Sequence, residues 1–272
     1  MIRSYFGIAN NPFSGEDITL LRQQQEIYDI LKVHSQQGGL CLLMGEPGTG
    51  KSIIKEAFKQ NADKRTVVVT VARTLHTYTN SIKILCQAFN IEYEGTYFKC
   101  EKNLIEEAFN LYREGKTLVI IIDDAHLMAI DTLRRIRLLL EDFPKNHNLI
   151  LVGQPGLLFQ LSLKVHEDIK SRITYSVTLK KLNGDDLQAF ILAQLDKAGL
   201  GHNTFSEQAI ELIVRSAGGI LRKAKNLAVG CMLEAVRRQK KIIDLDNVNR
   251  VLIQPHWRTE YELETLIIKN GA

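Results

Sequence analysis

No apolar run in this 272-residue sequence approaches the roughly 18 or more residues a helix needs to cross a bilayer. The N-terminus also lacks the charged, apolar and small-residue order of a secretory signal, so a cytoplasmic location without membrane attachment is expected. Cysteine is scarce. Cys41, Cys86, Cys100 and Cys231 form no C-x-x-C pair and have no histidine at metal-ligand spacing, which excludes a zinc-finger framework. Buried thiols in a reducing compartment are expected instead. No internal repeat and no low-complexity segment interrupts the chain. The excess of one charge sign is small, and a net charge of +4 permits a nucleic-acid partner without demanding one.

What is present is concentrated in Gly45-Glu46-Pro47-Gly48-Thr49-Gly50-Lys51-Ser52, which fits G-x-x-x-x-G-K-[ST] at every fixed position. The apolar run Leu40–Met44 before it reads as a buried strand, and Ile53 to Phe58 after it reads as the first turns of a helix. In such a strand, loop and helix the glycines turn successive N–H groups toward phosphate oxygens, and the helix start adds its positive end. Lys51 is placed to reach the β- and γ-phosphates of a nucleotide, and the Ser52 hydroxyl to ligate Mg²⁺. ATP and Mg²⁺ are therefore the expected ligands.

A second continuous run, Leu118 to Ile122, suits the centre of a parallel sheet covered on both faces, and Asp123-Asp124 ends it. Asp123 is positioned to hold Mg²⁺ through water, and Asp124 to polarise the attacking water near the γ-phosphate. Alternatively the two acids cap a helix that begins near Ala125. After the run Leu149 to Val152, Gln154 puts an amide at a strand tip, where it can bond both the attacking water and the γ-phosphate.

Two further stretches extend the pattern. Ser171-Arg172-Ile173 precedes the alternation Thr174 to Leu179, and Gly218-Gly219-Ile220-Leu221-Arg222 opens a long helix. With these the chain resembles the AAA+ ATPases over nearly its whole length. The resemblance makes residues 45–52 a Walker A motif, Asp123-Asp124 a Walker B motif and Gln154 sensor 1. It makes Arg172 the arginine finger that acts on a neighbour's ATP, and Arg222 the sensor 2 arginine of a helical lid. A salt bridge for Arg172 and a solvated surface position for Arg222 are the alternatives.

Within that superfamily the chain resembles the ExeA-type group, through Phe6-Gly7-Ile8-Ala9-Asn10-Asn11-Pro12-Phe13 and Leu151-Val152-Gly153-Gln154-Pro155. The group contains secretion ATPases and ATPases encoded beside transposases, similar to the target-selecting ATPases of phage Mu and related elements. Secretion-type relatives typically carry a membrane segment and a cell-wall-binding domain, so the resemblance favours the transposition type here. One departure stands out: Asp-Asp replaces the usual Asp-Glu, shortening the catalytic carboxylate by one methylene.

The expected architecture is an α/β, three-layer P-loop parallel sheet followed by a small all-helical lid. Residues 1–25 form a lead-in and 26–180 the nucleotide-binding domain, with strands at Leu40–Met44, Thr66–Val71, Leu118–Ile122, Leu149–Val152 and Thr174–Leu179. Residues 181–253 show only helical periodicity, and 254–272 form a tail. Caps are expected at Asn183 and Ser206, and at Asp244 or Asp246. Leu227, Met232 and Leu233 are expected to face the core. In the lead-in, Asn11-Pro12-Phe13 resembles a segment packed near adenine, while a plain core role for Phe13 is the alternative.

Partner expectations are carried by Ala72 to Asn80, which is polar and contains no acid. In ring-forming relatives this segment meets the DNA backbone, which would make Arg73, Thr74 and Tyr78 phosphate donors. A solvated loop is the alternative. Basic clusters at Arg134-Arg135-Arg137, Arg222-Lys223-Lys225 and Arg237-Arg238-Lys240-Lys241 also read as solvated helix faces. The resulting expectation is a homo-oligomeric ring or filament that hydrolyses ATP slowly, assembles on double-stranded DNA and regulates a transposase. An ATPase of secretion assembly acting without DNA is the alternative.

Overall fold

The computed structural model describes residues 1–13, 18–71, 77–93 and 95–257. Five strands, β1 (Gly39–Gly45), β2 (Thr66–Val71), β3 (Thr117–Ile122), β4 (Asn148–Gly153) and β5 (Ile173–Leu179), form one sheet in the order β2-β3-β4-β1-β5. All four pairings are parallel, with Val68 opposite Val119, Ile121 opposite Ile150, Leu42 opposite Leu151 and Leu43 opposite Val177. Every strand begins and ends within one residue of an apolar run seen in the sequence.

The runs of β1, β3 and β4 are continuous because both faces of the sheet are covered there, whereas β5, at the sheet edge, mixes apolar with polar residues and is largely exposed. Leu40, Leu42, Met44, Ile120, Ile122, Leu149 and Leu151 share one core, and Cys41, Leu43, Val119, Ile121, Ile150 and Val152 share the other. This is the period-2 alternation of pleated strands. In chain order, the helices are α1 (Ile2–Phe6), α2 (Arg22–Gln37), α3 (Lys51–Gln60), α4 (Tyr78–Ala88), α5 (Tyr97–Arg113) and α6 (Ile130–Glu141). They continue with α7 (Pro155–Ser162), α8 (Glu167–Lys170), α9 (Gly184–Lys197), α10 (Glu207–Ala217), α11 (Leu221–Arg237) and α12 (Leu245–Leu252). Ile27 and Leu31 of α2 with Ile54 and Phe58 of α3 cover the second core; α4 to α8 cover the first through Ile82, Leu104, Ile136, Leu157 and Ile169. Fully burying one such aliphatic side chain contributes about 1.5–3 kcal/mol, so the strand ends that carry the site are held by the sheet's interior. Cys41 is completely buried there, and that burial pushes its thiol pKa up to about 12.

The chain forms two compact units, one of which is Ile18–Lys180. The other combines the N-terminal residues with those from Lys181 onward. In it α9 to α12 pack on one another, and the N-cap side chains are those of Asn183, Ser206 and Asp244. Asp244 rather than Asp246 caps α12 because Asn247 returns a bond to the Asp244 N–H, closing a reciprocal capping box. Gly219, at φ +79°, separates α10 from α11 where an added Cβ would lie 2.5 Å from the Leu182 carbonyl oxygen. Phe13 is buried in this unit with its ring 6.3 Å from that of Phe190, a core role. Leu233 corrects an expectation: Leu227 and Met232 are buried, but Leu233 is 43% exposed because it lies on the outer face of α11.

Candidate nucleotide site

The carboxyl ends of β1, β3 and β4 lie side by side, and each continues into a polar residue. β1 ends at Gly45, whose lack of a side chain is a packing requirement, since a Cβ there would meet Thr49 Oγ1 at 2.9 Å and the Leu179 carbonyl at 3.0 Å. Beyond it Gly48 and Gly50 take φ of +83° and +111°, conformations glycine adopts without steric cost. Thr49 is buried and closes the turn by donating its hydroxyl to the Glu46 carbonyl at 2.9 Å. Lys51 folds its ammonium across the loop, donating to the Gly45 carbonyl at 2.7 Å and the Glu46 carbonyl at 2.9 Å.

The α3 N-terminus carries no side-chain cap, because Gly50 occupies the capping position. Its first-turn N–H groups thus present the positive end of the helix to the loop. Ser52 is the second residue of that turn.

From β3, the Asp123 N–H extends the ladder by donating to the Val71 carbonyl at 2.9 Å. Its carboxylate accepts the Asp124 N–H on Oδ1 at 3.0 Å and Lys55 Nζ on Oδ2 at 2.6 Å. Asp124 has φ +50° and ψ +34°, a left-handed conformation that aspartate tolerates better than most side chains. It precedes a short 3₁₀ turn over Ala125–Leu127 but makes no side-chain capping bond to it, and the residue is exposed. Gln154, at the end of β4, lies 2.8 Å through Nε2 from Nε2 of His126. With the amide donating, the imidazole proton sits on Nδ1, which is buried and has no hydrogen-bond partner.

Lys55 and His126 were missed by motif reasoning, since neither occupies a fixed position of the phosphate-loop pattern. The available signals were a basic residue one turn beyond Lys51, and an imidazole two residues beyond Asp124. The structure therefore brings together residues 45–52, Asp123, Asp124 and Gln154, and adds Lys55 and His126.

Arg172 is elsewhere. It directly precedes β5, whose Ile173 pairs with Leu40 and whose Leu179 pairs with Gly45, so Arg172 lies at the opposite end of the sheet from the loop. A strand of seven residues separates the two ends by about 20 Å. The Arg172 side chain is 63% exposed and rests 3.4 Å from Glu141 Oε1, which also accepts from Arg137 Nη1 at 2.5 Å. Arg222 is exposed at the second residue of α11, in the helical unit.

Of the three expected DNA contacts, Arg73 and Thr74 lie outside the described residues. Tyr78 is a correction. It is buried as the first residue of α4, its hydroxyl donates to Glu101 Oε1 at 2.5 Å, and the Arg135 guanidinium lies 3.7 Å from its ring centroid. Burial, with the Glu101 carboxylate next, pushes its phenol pKa up. A side chain so engaged is not a surface donor to phosphate. Much of the basic surface is also neutralised: Arg134 pairs with Asp131 and Asp168, Arg237 with Glu234, Arg238 with Asp246 and Lys240 with Asp244.

Residues 33–161 match the family model described as AAA domain. Over 249 residues the chain is 26% identical to the general secretion pathway protein A of Aeromonas hydrophila, an alignment covering 88% of this chain and 45% of that protein. The chain thus spans less than half the length of this relative. Among solved structures, Cdc6p from Pyrobaculum aerophilum superposes with a TM-score of 0.71 at 19% identity, covering 90% of this chain and 70% of that one. The Aeropyrum pernix ORC1 protein in complex with DNA superposes with a TM-score of 0.66 at 16% identity, covering 88% and 67%. The fold is the P-loop fold of the AAA+ ATPases. Among the described residues, no helix is long and apolar enough to cross a membrane.

Proposed function

We propose that this chain binds ATP with Mg²⁺ and hydrolyses it slowly as a homo-oligomer assembled on double-stranded DNA, where its nucleotide state regulates a transposase during target-site selection. The observation that carries the ATPase part is the convergence of Lys51, Ser52, Asp123, Asp124 and Gln154 at the carboxyl ends of adjacent strands. The uncapped α3 start and the left-handed Gly48 and Gly50 of the loop fit a phosphate group, and the Ser52 hydroxyl with the Asp123 carboxylate fits Mg²⁺, a cation that takes oxygen ligands. Bound Mg²⁺ would offset the negative charge on the phosphates.

The chain's own groups supply the rest. Lys51 stabilises charge on the β- and γ-phosphates, Asp124 accepts hydrogen-bonding from the attacking water, and Gln154 orients it, with His126 fixing the amide. Asp124 reaches less far than a glutamate would, which makes turnover slow. Arg172 lies at the far end of the sheet from its own loop, so its charge is available to a neighbouring subunit's γ-phosphate. Arg222, exposed near the start of α11, is the candidate lid arginine.

DNA association draws support from the similarity to ORC1 solved with DNA, and Arg73 and Thr74 remain the candidate backbone contacts. The similarity to a general secretion pathway protein over 88% of this chain supports a second reading, an assembly ATPase that works without DNA. Electron microscopy with a non-hydrolysable ATP analogue, with and without duplex DNA, separates the two. Rings or filaments that need both ligands are expected; assemblies indifferent to DNA would transfer the reading to the secretion type, and no nucleotide binding would remove both.

A further inference from the structure

Lys55 lies one helical turn beyond Lys51 on α3, at a position to which the phosphate-loop pattern assigns no chemistry. Its side chain is only 12% exposed, and its ammonium sits 2.6 Å from Oδ2 of Asp123 and 3.8 Å from Oε1 of Glu56. The Asp123 side chain is 17% exposed, and its other oxygen already accepts the Asp124 N–H. Both oxygens of the carboxylate that faces the metal position therefore have donors from within the chain. A charge pair this sheltered is less screened than one on the open surface, and removing one member leaves the other poorly solvated.

We propose that Lys55 is a built-in counter-cation of the Asp123 carboxylate, and that it weakens the coupling between Mg²⁺ and nucleotide at this site. Two effects act in the same direction. The ammonium occupies the carboxylate that Mg²⁺ would otherwise have to itself, which reduces what the metal gains. It also leaves a positive charge one turn from the phosphate-binding lysine when no metal is bound, which reduces what the nucleotide loses. Lys55 thus acts as a positioning residue through Asp123, and the inference rests on the loop being an ATP site.

The measurement is the affinity of a fluorescent ATP analogue in excess Mg²⁺ and in EDTA, whose ratio is the coupling factor. The wild type is expected to show a factor of about tenfold or less, at the low end of typical couplings. Lys55→Met and Lys55→Gln should each raise it by about tenfold, and Lys55→Arg, which keeps the charge, should restore it. A purely structural ion pair would alter thermal stability in all three variants and leave the factor alone. A wild type that binds the analogue with a factor above about 100 overturns the inference whether or not the variants fold. So does a factor unchanged in Lys55→Gln. A wild type that binds under neither condition removes the ATP site itself and the inference with it, an outcome distinct from binding with unaltered coupling.

Discussion

Nε2 of Gln154 and Nε2 of His126 lie 2.8 Å apart, joining the tip of β4 to the turn that follows β3. The pair fixes an amide that would otherwise rotate freely at the mouth of the site. Gln154→Ala should lower kcat about 100-fold, as expected for the loss of a preorganised donor, with nucleotide affinity within a few-fold of wild type. His126→Ala should lower it less, about tenfold, because the amide remains but loses its orientation. Steady-state phosphate release with a parallel nucleotide titration checks both, and a larger loss in His126→Ala than in Gln154→Ala would refute the order of roles.

Lys51→Ala should abolish nucleotide binding or hydrolysis. The ammonium is held over the loop by two carbonyls, at 2.7 and 2.9 Å. Water cannot replace a compact positive charge in a loop shaped for it. Normal turnover in this variant, measured by phosphate release, would remove the assignment of the loop.

Asp124 combines a short reach with a left-handed backbone at φ +50°, which aspartate accepts more readily than glutamate. Asp124→Glu should bind ATP normally and turn over faster, at a stability cost of about 1 kcal/mol or less. Asp124→Asn should bind ATP and trap the bound assembly. Rapid hydrolysis by Asp124→Asn would show that another group polarises the water.

The sheet was legible because its signal is local: continuous apolar runs at Leu40–Met44, Leu118–Ile122 and Leu149–Val152, each ended by a polar or glycine residue, have few other readings. The caps at Asn183 and Ser206 were legible for the same reason. The pairs Lys55–Asp123 and His126–Gln154 were not, since they join residues 68 and 28 apart in sequence through strand register. Tyr78 was misread because the polar composition before it suggested a loop. The Thr77 side chain instead accepts the Asn80 N–H and starts α4, whose Ser81, Ile82 and Leu85 continue the buried face with Tyr78.

That buried face gives a test of its own. Tyr78→Phe removes the hydroxyl from Glu101 and leaves the ring beneath Arg135. A stability loss of about 1–3 kcal/mol is expected for a lost bond to a charged acceptor, visible in the urea midpoint. Any duplex binding should keep its affinity, and a weaker duplex affinity in Tyr78→Phe would return Tyr78 to the phosphate contacts.

Arg172 cannot serve the loop of its own sheet, from which a whole strand length separates it, and Glu141 is its neighbour at 3.4 Å. If its charge completes a neighbouring site, hydrolysis per chain should rise with protein concentration in the wild type, because assembly brings the guanidinium to the γ-phosphate. Arg172→Ala should bind ATP normally and lose that rise, with a deficit of up to about 10³-fold in the assembled state, the low end for an arginine finger. Mixing it with Lys51→Ala discriminates further: chains with an intact loop and no finger should regain turnover beside chains that lack the loop lysine but keep Arg172. Mixtures no more active than the sum of their parts, under conditions where both variants assemble, would leave Arg172 as the partner of Glu141 alone.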